Sequence, residues 1–161
     1  MDMLRAAHEA LFATAGDLDD GRLRRRPAAG GWSALDVLEH VARNEEITAE
    51  VLGRASGLRV VEPPPPDPPL ALALVRTRHI EAPDVVRPQG TYTSLAEARS
   101  ALDASAARLA QRYAALDDAL LDGRGMRHSV FGFLTVRQWH DLCALHALRH
   151  LQQLHEIVTG A

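Results

Sequence analysis

At 161 residues, with 18 Lys and Arg against 21 Asp and Glu for a formal charge of −3, the chain reads as one domain. A chain of that length buries around 70% of its extended surface without help from a disulfide or a structural metal. The single cysteine, Cys143, excludes an internal disulfide and fits a reducing compartment. The run "RLRRRP" at 22–27 is short and ends at a proline, and no apolar run approaches the roughly 18 residues of a transmembrane helix, so neither nucleic acid nor membrane is an expected partner.

In chain order, abundant Ala, Leu, Arg and Glu with few β-branched and aromatic residues predict four long helices, over 2–19, 33–55, 94–121 and 135–158. The first carries acids early and has its apolar positions interrupted by His8 and Glu9, which argues against a signal peptide and for a soluble cytoplasmic protein. The other three open on capping-box spacings: Ser33 with Asp36, Ser94 with Glu97, and Thr135 with Gln138.

Between the second and third helices lies a proline-rich crossover, 56–93, whose "EPPPPDPP" cannot be helix interior and predicts an extended polyproline path over the surface. Within it "LALALVRTRHI" fits either a strand or a short helix. A connection this long in a compact domain often covers a functional site. The other substantial connector, "DGRGMRHSVFGFL", has glycines at 123, 125 and 132 that mark turns. The expected fold is therefore all-α: an up-down four-helix bundle with one long crossover, occupying 1–161 as a single domain.

The last helix poses a chemical question, because "ALHALRHLQQL" sets His146 and His150 one turn apart. At about 100° per residue both fall on the stripe shared by Trp139, Leu142, Cys143 and Gln153, whereas His140 and His155 point away. On the second helix, His40 falls on the apolar arc with Val37, Val41, Asn44, Ile47 and Val51, opposite Glu39, Arg43, Glu46 and Glu50. A buried imidazole nitrogen without a partner costs free energy. Two histidines at i, i+4 with a third from a neighbouring helix suit a divalent metal with open positions, and the full double charge left by three neutral ligands suits activation of a nucleophile. The bland alternative is three core histidines satisfied by hydrogen bonds.

The segments "GWSALDVLEHV" and "HSVFGFLTVRQWHDLCALHALRHLQQL" resemble the DinB-like superfamily of four-helix bundles, which includes the bacterial thiol-dependent S-transferases of the YfiT type and the mycothiol-dependent maleylpyruvate isomerases. The resemblance covers nearly the whole chain except 57–92. It implies a divalent ion, zinc or nickel, held by His40, His146 and His150, with Gln153 lining or bracing the site. It also implies a low-molecular-weight thiol as cosubstrate, a small-molecule electrophile, and pairing of bundles into a homodimer. On that basis the expected function is a metal-dependent enzyme that activates a small thiol, as an S-transferase, or water, as a hydrolase. The alternative is a bundle that binds a metal or small ligand without turnover.

Among other residues, Cys143 reads as a small buried hydrophobe, and Trp32 and Trp139 as packing at helix starts. Asn44 stands within reach of a substrate or of a buried imidazole. His128 is a loop histidine with the option of approaching the open side of the metal. His8, His79, His140 and His155 read as surface residues, and Arg99, Arg108 and Arg112 as a solvated face.

Overall fold

The computed structural model describes residues 3–28, 30–60, 68–76 and 80–160. The tetraproline at 63–66 and His79 lie outside the described residues. Six α-helices are present among the described residues: α1 (Met3–Ala15), α2 (Asp20–Arg24), α3 (Ala34–Gly53), α4 (Leu95–Ala114), α5 (Asp118–Gly123) and α6 (Val136–Thr159). The long ones, α1, α3, α4 and α6, form the four-helix bundle, in which α3 packs on α4 and α6 while α1 packs on α6 and α4. The inward stripe of α1 is Leu4, Ala7, His8, Leu11, Phe12 and Ala15, the alternating three- and four-residue spacing of one helix face.

Local chemistry sets the helix starts. Ser33 and Asp36 form a reciprocal capping box, as do Thr135 and Gln138. At the third start, Ser94 accepts from the Glu97 N–H, but the Glu97 carboxylate turns to the backbone N–H and hydroxyl of Thr93 instead of closing the box. Two of the predicted helices are shorter than their periodicity suggests. Asp19 caps a new helix on Arg22, and Asp117 caps another on Leu120. In both places an aspartate that competes for backbone N–H groups interrupts an otherwise continuous helical pattern.

The all-α expectation omits a small antiparallel sheet in the order β1-β2-β3, from β1 (Arg59–Val60), β2 (Arg124–His128) and β3 (Gly132–Thr135). Strands β2 and β3 form a hairpin leading directly into α6, and β1 brings the start of the crossover against it. A Cβ on Gly125 would lie 2.2 Å from the carbonyl oxygen of Leu134, so the close approach of these strands demands glycine there. Within the crossover, Leu70–Leu74 is a short 3₁₀ helix, which meets the short-helix option for the first five residues of "LALALVRTRHI"; residues 77–79 of that stretch lie outside the described residues. Asp84–Val86 forms a 3₁₀ turn whose Val86 is buried.

Candidate metal centre

The inner face of α3 and the middle of α6 bring His40, His146 and His150 together, each offering a ring nitrogen within 4.8 Å of the others. The Nε2 of His146 lies 3.2 Å from Nε2 of His40 and 3.1 Å from Nε2 of His150. Each outer histidine is oriented from its other nitrogen. Nδ1 of His40 donates to the carbonyl of Val86 at 2.7 Å, and Nδ1 of His150 donates to Oε1 of Gln153 at 2.8 Å.

Those two bonds decide the protonation pattern. A neutral imidazole carries one proton, so an Nδ1 that donates leaves Nε2 as a lone pair. Lone pairs of His40 and His150 therefore both point at Nε2 of His146, which has at most one proton to share between them. Hydrogen bonding alone leaves this cluster short of donors. A cation satisfies all three nitrogens, and two nitrogens bound to a tetrahedral ion at about 2.0–2.1 Å would be roughly 3.3–3.4 Å apart, close to the spacings found here. A carbonyl and a side-chain amide holding the outer nitrogens are the supports that metal-ligating histidines usually have.

The electrostatics agree with that donor set. Burial is the main force holding the His40 imidazolium down, to a pKa of about 4, while the Val86 carbonyl opposes it and Arg43 assists. Burial also pushes His146 and His150 well below their ordinary range, and each is further disfavoured as a cation by its histidine neighbours. All three rings are thus neutral at neutral pH, the state in which imidazole binds a metal.

The crossover is clamped over this site by α3. Arg43 donates to the carbonyl of Val85, and the Glu39 carboxylate accepts from the backbone N–H groups of Gln89 and Thr91 and from the Thr91 hydroxyl, each at 2.9 Å. The sequence reading puts Glu39 on the outer side of its helix, but it is only 2% exposed. Helical phase positions it correctly; the crossover laid over that face is what buries it.

The remaining candidates sort plainly. Gln153 braces His150, and the Trp32 ring packs on His40 with centroids 4.6 Å apart and on His150 at 6.1 Å. Cys143 is buried with its thiol pushed up to about 12, chiefly by desolvation, which suits a small apolar filler and not a thiolate. His128 packs against Trp139 and Phe131, and its Nδ1 accepts from the backbone N–H groups of Val130 and Phe131, so its proton sits on Nε2. His128 contributes to the electrostatic field at His146. His155 is exposed, as expected, whereas His140 is half-buried against the Tyr113 ring. His8 departs from its surface reading: it is 4% exposed and lies 2.6 Å from Glu45, whose other oxygen accepts from Ser105.

Fold and site together define a helical bundle in which three histidines, His40 and His150 buried and His146 half-buried, converge between two helices. A family model of the DinB superfamily matches residues 3–154, and the chain belongs to that superfamily. It is 32% identical over 143 residues to the uncharacterized protein YuaE of Bacillus subtilis (strain 168), covering 87% of this chain and 85% of that one. It is also similar to the crystal structure of TT2238, described as a four-helix bundle protein, with a TM-score of 0.64, 28% identity, and coverage of 94% of this chain and 91% of the other.

Proposed function

We propose that His40, His146 and His150 hold a divalent cation, zinc or nickel, and that the protein is a metal-dependent enzyme acting on a small molecule with a thiol or water as nucleophile. The observation that carries this reading is the convergence of two Nδ1-anchored imidazoles on a third, which leaves more lone pairs than protons at the centre. The chemistry such a cation supplies is acidification of a thiol or water bound to it, giving a nucleophile at neutral pH. The chain's own part is to keep three rings neutral by burial, to fix two of them by their outer nitrogens, and to exclude bulk water with Trp32 and the crossover. Both oxygens of Glu39 are engaged by the crossover, which makes it a strap and not a base.

Elemental analysis by plasma mass spectrometry on untagged, chelator-free protein beside His146→Ala tests the site. Near-stoichiometric zinc or nickel that disappears in the variant is the expected result. No metal in the wild type, even after reconstitution with both ions, would leave a metal-free bundle. Thiol-dependent consumption of electrophiles by the loaded protein then separates an enzyme from a non-catalytic metal-binding bundle with the same ligands.

A further inference from the structure

An open groove of 650 Å³ lies between the segment joining α2 to α3 and the C-terminal part of α6, and its lining includes Trp32 and Gln153 but none of the three histidines. Its volume falls in the range of small-molecule sites, roughly 300–1,000 Å³. Trp32 and Gln153 form the wall it shares with the metal centre, since one packs on His40 and His150 and the other bonds His150. Apolar side chains, Leu18 and Ile157 among them, contribute further lining.

Four arginines are among the residues lining the groove: Arg22, Arg25, Arg26 and Arg76. Arg26 is paired with Asp36 at 3.2 Å, and Arg76 makes two bonds to Glu156, at 3.0 and 2.6 Å. Glu156 itself lies in the lining, half-exposed, so its carboxylate sits where a ligand carboxylate would be received. Among the described residues Arg22 and Arg25 have no carboxylate partner. A chain of net charge −3 therefore concentrates two uncompensated positive charges, beside two paired ones, around a single concavity. The planar guanidinium fork fits carboxylate and phosphate oxygens, and low-dielectric walls focus its field.

We propose that this groove binds a small anionic molecule bearing a carboxylate or phosphate, with its apolar part against the aliphatic lining. The proposal goes beyond the functional reading above: the groove is a ligand site on the other side of Trp32 and Gln153 from the histidines, and its ligand is bound there whether or not the histidines hold a cation. Arg22 and Arg25 supply the charge that captures the ligand, and exchange of Glu156 for the ligand frees Arg76 to bind it.

The test is isothermal titration of the full-length protein at low ionic strength with two probes, succinate and inorganic phosphate, which distinguish a carboxylate from a phosphate site. Wild type, the double variant Arg22→Gln/Arg25→Gln, and His146→Ala are compared, with the metal content of each measured in parallel. Saturable one-site binding of either probe at millimolar concentration is expected, weakened roughly tenfold or more in the arginine variant while its metal content is unchanged. His146→Ala should lose metal and retain the probe. Failure of both probes to saturate the wild type, or equal affinity in the arginine variant, overturns the groove. Probe binding in a protein that never takes up zinc or nickel would keep the groove and overturn the metal reading.

Discussion

Nδ1 of His40 donates to the carbonyl of Val86 at 2.7 Å, across 46 residues of sequence. This bond does two things at once. It fixes the tautomer that aims a lone pair at His146, and it ties the proline-rich crossover to the bundle beside the site. A backbone carbonyl in this role cannot be removed by mutating a side chain, so the arrangement is tested through its neighbours.

Gln153 orients His150 from the outer nitrogen as Val86 orients His40. Gln153→Leu should lower zinc affinity by about 10–100-fold while leaving helix content unchanged, as loss of an outer-nitrogen support does in metal sites generally. Competition with a chromophoric chelator reads the affinity, and far-ultraviolet circular dichroism reads the fold. Unchanged affinity would mean that the glutamine does not hold the ring.

Glu39→Ala removes the acceptor of two backbone N–H groups and a hydroxyl in the crossover. The expected cost is about 3 kcal/mol in urea unfolding, because hydrogen bonds to a charged group are lost and part-buried donors are left without partners. Limited proteolysis should then cut first between α3 and α4. Stability and cleavage pattern like those of wild type would show that the strap is not what holds the crossover down.

Acid should destabilise the chelator-treated protein through the histidines. His40 has an ordinary value of 6.5 when unfolded and about 4 when folded, so as pH falls below 6.5 the unfolded chain takes up the proton first. The stability present above pH 6.5 is lost progressively down to pH 4, by about 3 kcal/mol from this residue alone. His146 and His150 shift in the same direction and add to it. Urea unfolding at a series of pH values measures the slope, and replacing His40 by Asn should make it shallower while leaving the contribution of His146 and His150.

The buried cluster of His8, Glu45 and Ser105 ties α1, α3 and α4 together. Glu45→Ala is expected to cost about 3–5 kcal/mol, since it leaves His8 without its partner in the core. Glu50→Ala, which breaks only the exposed pair with Arg54, should cost less than about 1 kcal/mol. Equal midpoints in parallel urea melts would show that the buried cluster adds nothing to stability.

The parts of this molecule that were legible in the sequence are those governed by neighbours within four residues. Helix hydrogen bonds run from i to i+4, capping residues act on the next turn, and helical phase alone sets His146 beside His150 and His40 on an inward arc. Competition at the same range shortened the first and third predicted helices, because Asp19 and Asp117 cap separate helices that start at Asp20 and Asp118. The sheet was hidden because its strands are two to five residues long and β1 meets β2 across more than 60 residues of chain.

Tertiary structure alone decided which polar groups are inside. Glu39 has the sequence context of a surface residue and is buried because the crossover was laid upon it and offered hydrogen-bond donors, whereas His8 lies on the inward stripe of α1 and the tertiary structure supplied its buried partner, Glu45. The carbonyl of Val86 and the arginine-lined groove likewise exist only once the crossover and the loop before α3 have packed against α6 and its neighbours. Helical phase is a local property of the backbone, but the burial and satisfaction of a polar side chain depend on whatever the rest of the chain places against it.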